Sequence, residues 1–265
     1  RSIVCIRLVQ VHGIILQIAN NGEDRPREIS PEVIINQWKL FLVVACTSLP
    51  STNDQKLHIP TSGFRHGRKK SQQIFTVQHQ KIKSATSVFK MVLPLLNADS
   101  TMIRDAIISG LSSMNVNIYK AYIESIEGFL CTWSLQSSNN KIRVEMFHVL
   151  TILSRFLNET MILEDKVLLK KISEILRHVK KFLEEESVQY SYEFQTLRSY
   201  FAELLRNYYS VVRLEPQFDQ LFPFQARASC FKYLKEWCGY GELAFIAEER
   251  YNTMIRNTDN SRDRT

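Results

Sequence analysis

The sequence predicts an all-α protein, an α-solenoid of stacked helical hairpins, and three observations carry that prediction. Apolar residues recur at helical spacing along most of the 265 residues, 45% of which are hydrophobic. Glycine (8) and proline (7) are scarce, which argues against sandwiches and barrels that need frequent turns. Ser84–Met114 reads as two amphipathic helices joined by a short turn, a unit that cannot bury its apolar face without neighbours on both sides. The length suits one continuous core. Residues 1–265 are therefore expected to form a single solenoid segment of roughly five hairpins, at ~40–47 residues each. The chain opens at Arg1 inside an apolar periodic stretch without an initiator methionine, and the expectation is a piece of a larger protein.

The elements follow in order. Ile3–Asn20 is the first predicted helix, with Gly22 suited to a left-handed cap. Its apolar run through Ala19 is interrupted by Arg7, Gln10, His12 and Gln17 and falls short of a bilayer span, so a buried helix is expected. Ser30-Pro31-Glu32 starts the second helix, Pro31–Ser48, with proline at the first helical position. Trp38, Leu40, Phe41, Val43 and Val44 make that helix apolar almost all round. Beyond the Ser84–Met114 hairpin come helices over Val116–Trp133, Lys141–Leu157, Lys166–Glu185 and Tyr190–Val212. Glu164-Asp165 offers a cap before the third of these. Phe222-Pro223-Phe224 opens another helix that runs to about Trp237 and ends at Gly239-Tyr240-Gly241. Glu242–Ile255 is the last, followed by a polar tail at 256–265.

Ser84–Met114 carries the most information. Val88, Met91, Val92, Leu95 and Leu96 face one way on its first helix; Ile103, Ala106, Ile107 and Leu111 do so on its second. Asp99 or Ser100 can cap the second helix. Pro94 matches the proline that bends the first helix of HEAT units, and Ile103-Arg104-Asp105-Ala106 resembles their Val-Arg-x-Ala signature. Arg104 and Asp105 are expected to act as ladder or cap residues tying hairpin to hairpin, for stability rather than partner contact.

Chemistry is harder to find. Five cysteines (Cys5, Cys46, Cys131, Cys230, Cys238) lie in apolar helical patterns without metal-ligand spacing, which predicts reduced core thiols and a cytoplasmic or nuclear setting. His148 and His178 sit on separate predicted helices and are expected to be structural. No glycine-rich phosphate loop, nucleophile elbow or His-Glu-x-x-His motif occurs. Neither an enzyme nor a cofactor, metal or small-molecule substrate is therefore expected. The formal net charge of +7 concentrates between Ser51 and Lys83, where seven basic residues face the single Asp54. Residues 50–80 are expected to be a basic, flexible loop. Its Arg65, Arg68, Lys69 and Lys70 could hold nucleic-acid or lipid phosphates, be plain solvated charge, or flank Thr61, Ser62 and Ser71 as phosphorylation targets. A single short cluster falls short of the footprint of a nucleic-acid binder, and membrane contact would be peripheral.

Several blocks together resemble the Furry family of cell morphogenesis proteins, in particular its fungal members. They are Gln37–Thr47, the Ile103-Arg104-Asp105-Ala106 hairpin, Met114–Tyr119, Phe224-Gln225-Ala226-Arg227 and Glu236-Trp237-Cys238-Gly239-Tyr240. The resemblance implies a segment of a very large HEAT/armadillo-like scaffold. Such a scaffold is expected to be non-catalytic and to work with an NDR-family kinase and its Mob coactivator in polarised growth and cell separation. The implied location is the cytoplasm, at the cell cortex and sites of growth. The same architecture also serves transport receptors and phosphatase scaffolds.

Overall fold

Alternation of buried and exposed positions at helical period sets every regular element that the computed structural model contains. It describes residues 2–21, 30–50, 84–189, 191–242 and 244–262, and among these no strand occurs. The all-α prediction holds for them. The chain divides into two compact units, residues 1–121 and 122–265.

The first unit holds α1 (Ser2–Asn21), α2 (Pro31–Ser48), α3 (Ala85–Val92) and α4 (Thr101–Ser112), with the start of α5 (Tyr119–Leu130). In α1, Cys5, Leu8, His12, Ile15 and Ile18 form one buried stripe that packs on α2. His12 lies against the Trp38 ring at 5.8 Å, and burial pushes its pKa down to about 4, so the ring is neutral at physiological pH. By length and composition α1 could cross a membrane over Ile3–Asn20; its stripe on α2 is what this fold uses. α2 buries Ile35, Trp38, Leu42, Ala45 and Cys46. It is less enclosed than its composition predicts, since Val33, Leu40 and Val44 are exposed.

α2 packs chiefly on α4 rather than on α3. Gly110 sits at that contact. A β-carbon there would lie 2.5 Å from the Cγ and Cδ2 atoms of Leu42, so only hydrogen lets the two backbones close to this distance.

The second unit takes in the rest of α5, then α6 (Asn140–Ile152), α7 (Thr160–Glu164), α8 (Lys166–Leu183), α9 (Glu186–Gln189), α10 (Gln195–Val212), α11 (Phe218–Leu221), α12 (Phe224–Trp237) and α13 (Ala244–Arg262). α8 buries Leu168, Leu169, Ile172, Ile175, Leu176, Val179, Phe182 and Leu183 along one face, at ~1.5–3 kcal/mol for each large aliphatic side chain removed from water. α10 lies against α6. Phe182 joins Trp133 and Phe194, each at 4.9 Å, the second edge-to-face. Buried tyrosine hydroxyls find carbonyls: Tyr122 donates to Met146 (3.0 Å) and Tyr208 to Leu169 (3.0 Å).

The helix boundaries depart from the periodicity in a consistent way. Val116–Ile118 and Tyr192–Phe194 are 3-10 turns ahead of α5 and α10, and α6 passes into a 3-10 turn over Leu153–Asn158. Apolar spacing alone cannot distinguish one winding from the other. The short α7 and α11 fall between the predicted helices. α13 continues to Arg262, past the Ile255 end that its polar sequence suggested. Asp165 caps α8 as expected, accepting from the Leu168 amide at 3.0 Å. α12 ends as expected too: Gly239 (φ 83°) adopts the left-handed conformation, while Tyr240 N–H donates to Lys235 O at 2.9 Å.

Gly110→Ala should destabilise the chain by about 1–3 kcal/mol, because the added methyl must displace the fully buried Leu42. Urea denaturation of the two forms measures it.

Candidate functional site

The Ser84–Met114 hairpin is present in a modified form. Ser84 caps α3, its hydroxyl accepting from the Ser87 amide at 3.3 Å. α3 then gives way to a 3-10 turn over Leu93–Asn97. Pro94, which has no N–H to donate to the carbonyl four residues back, sits at that change of winding and is exposed. Ser100 occupies the N-cap of α4 without a side-chain capping bond; the Arg104 amide donates to its carbonyl at 3.3 Å. The Arg104 guanidinium turns back on its own hairpin, where Nη1 donates to Ala98 O (2.7 Å) and Asp99 O (2.8 Å). Asp105 is exposed on α4.

Asn115, immediately after the hairpin, makes a long-range connection within the first unit. Its Nδ2 donates to the carbonyls of Cys46 (3.1 Å), Thr47 (3.0 Å) and Leu49 (2.9 Å) at the end of α2. Its backbone N–H also reaches Cys46 O, at 3.3 Å, and its Oδ1 accepts from the Asn117 amide at 3.0 Å. Helix-end carbonyls have no partner within their own helix, and here one amide side chain gathers three acceptors. The sequence blocks include Asn115 but give no sign of this role, because the partners lie 66 to 69 residues away.

Two buried arginines do similar work in the second unit. Arg143 donates from Nε to Phe129 O (2.9 Å) and from Nη1 to Ser137 Oγ (2.7 Å) and Asn140 Oδ1 (3.1 Å). Arg198, only 3% exposed, donates to Val188 O (2.5 Å) and Ser191 O (2.9 Å). Burial lowers the pKa of both guanidiniums, which remain charged at neutral pH. The Trp237 ring lies 4.1 Å from the Arg198 guanidinium and 3.4 Å from that of Arg250 on α13, and these contacts bring α10, α12 and α13 together.

Of the five cysteines expected in the core, Cys5, Cys46 and Cys230 are buried, while Cys131 is half-buried and Cys238, at the end of α12, is exposed. Burial pushes the Cys46 thiol up to about 12 and the Cys230 thiol up to about 11, so both are protonated and poor nucleophiles at neutral pH. His148 stacks on Tyr200 at 4.3 Å. His178 contacts Arg177 at 3.0 Å, and burial together with that guanidinium lowers its pKa. Among the described residues no three His, Cys, Asp or Glu side chains are grouped to hold a metal. The basic loop at 50–80, with Arg65, Arg68, Lys69 and Lys70, lies outside the described residues.

Fold and side-chain geometry thus define a class: a helical segment whose interior polar groups serve helix ends and turns. No protein-family model and no solved structure matches the chain. Along its full 265 residues it is 66% identical to cell morphogenesis protein PAG1 of Saccharomyces cerevisiae. Over 244 residues, 84% of the chain, it is 31% identical to cell polarity protein mor2 of Schizosaccharomyces pombe. The chain belongs with these proteins in the Furry family of cell morphogenesis proteins. It spans 11% of the length of each of these relatives.

Asn115→Ala should cost about 1–3 kcal/mol, since the Thr47 and Leu49 carbonyls lose this donor and Cys46 O keeps only the backbone N–H of residue 115. Asn115→Asp should cost more at pH 7, where a carboxylate oxygen would face those carbonyls, and the gap should close near pH 4 as that carboxyl protonates. Thermal unfolding at the two pH values reads both effects.

Proposed function

We propose that this chain is a non-catalytic scaffold segment of a cell morphogenesis protein that supports polarised growth and cell separation. The observation that carries the reading is its 66% identity, over every residue, to a stretch of PAG1. Its hairpins stack as part of a HEAT/armadillo-like α-solenoid. The packing of α2 on both α1 and α4 supports this. In the intact protein the scaffold holds an NDR-family kinase and its Mob coactivator near one another at the cell cortex, raising their effective concentration. The protonated interior thiols and the inward use of polar side chains fit binding better than catalysis.

Deleting residues 1–265 from the intact parent protein tests this. Recovery of the NDR-family kinase with the parent should fall several-fold, with rounded or unseparated cells. Unchanged kinase recovery together with normal cell shape would overturn the scaffold reading.

A further inference from the structure

α12 buries little of itself. Cys230 and Tyr233 are its buried residues, while Phe224, Ala228, Phe231, Lys235 and Cys238 follow one another along the opposite side and all are exposed. Their spacing of four, three, four and three residues makes one continuous helical stripe. Phe224 and Phe231 are each 71% exposed, and they share one stripe one heptad repeat apart rather than standing singly on the surface. Arg227 and Lys232 flank the stripe and Lys235 lies within it. Arg227 is held in place by stacking on Phe218 at 4.1 Å and by Asp219 at 2.8 Å. Lys232 approaches Glu236 at 3.8 Å, with its own side chain 69% exposed. No carboxylate stands in the stripe itself.

The open faces of α1 and α2 have a different composition. Ile3, Ile6, Leu40 and Val44 are aliphatic, and the two helices together carry only Arg7, Glu32 and Lys39 as formal charges. A face so poor in charge suits burial within one polypeptide, whereas aromatic anchors are enriched at interfaces between proteins, and the cations beside them set the charge a partner must carry.

We propose that the Phe224–Phe231 face of α12 is a docking surface for an amphipathic helix of a separate protein, with aliphatic anchors along its centre and acidic residues on its flanks. The anchors pack between the two phenylalanine rings, and the flanking carboxylates face Lys232 and Lys235. Charge complementarity selects acidic flanks over basic ones.

The test uses the intact parent protein and two synthetic helical peptides with the same leucine stripe, one flanked by glutamates and one by lysines. In fluorescence anisotropy the glutamate peptide should bind about tenfold more tightly, and Phe231→Ala should weaken it about tenfold. Lys235→Glu should abolish the preference between the peptides. Both positions are exposed, so circular dichroism of the variants should match the parent. Cys238 should react readily with maleimide in the free protein and slowly once the glutamate peptide is bound. Equal binding of both peptides, binding of neither, or a Cys238 already shielded in the free protein would overturn the proposal. Phosphatidylserine vesicles displacing the glutamate peptide would also overturn it, in favour of a membrane surface. None of these outcomes bears on kinase recovery, which tests the scaffold reading separately.

Discussion

The end of α2 is where the first unit is decided. Close packing of α2 on α4 requires Gly110 to meet Leu42 without a β-carbon, and it brings the residues after α4 beside the exposed carbonyls of the α2 terminus. Asn115 takes three of those carbonyls with one amide group. The two features support each other. Without the close approach the amide could not span to α2, and without the amide the helix end would sit against its neighbour with unsatisfied acceptors.

The same solution recurs along the chain with other side chains. Arg104 serves the carbonyls of Ala98 and Asp99, Arg143 that of Phe129, Lys166 that of Leu163 at 2.7 Å, and Arg198 those of Val188 and Ser191. Arg227 serves Phe222 at 2.6 Å. Among the described residues only Gly239 and Gly241 adopt positive φ, so among these residues left-handed glycine caps are not the general way a helix ends; Gly22, expected to cap the first helix, lies outside them. A protein with 8 glycines in 265 residues instead reaches from the next element with a long donor side chain. This fixes the geometry of each helix junction more firmly than a solvated end would, because the donor is anchored in a neighbouring helix. Such junctions suit the scaffold role proposed above.

How much of this was legible in the sequence follows from the range of each interaction. Helices were readable because the apolar period is local: Cys5, Leu8, His12, Ile15 and Ile18 announce their shared face within fourteen residues of sequence. Caps made by the next residue or two, such as Asp165 and Gly239, were readable for the same reason. Pro94 is legible as a residue that perturbs a helix, but whether it bends an α-helix or sits in a 3-10 turn depends on how Leu93, Leu95 and Leu96 pack. Nothing local indicates that Asn115 reaches Cys46, that Arg198 turns back to Val188, or that Trp237 meets both Arg198 and Arg250, since the distance along the chain is unrelated to the contact. The family resemblance was carried by apolar helical blocks, and those same blocks contain Asn115, Arg104 and Trp237, whose roles only the folded geometry assigns.

A double-mutant cycle between Gly110→Ala and Asn115→Ala tests most directly whether the packing and the amide clamp form one unit. The account predicts coupling: once the α2 and α4 backbones are forced apart, the amide has less to lose, so the double variant should be more stable than the sum of the single losses by at least ~0.5 kcal/mol. Losses that add within ~0.3 kcal/mol would contradict it, and would mean that the helix end and the helix seam are stabilised independently.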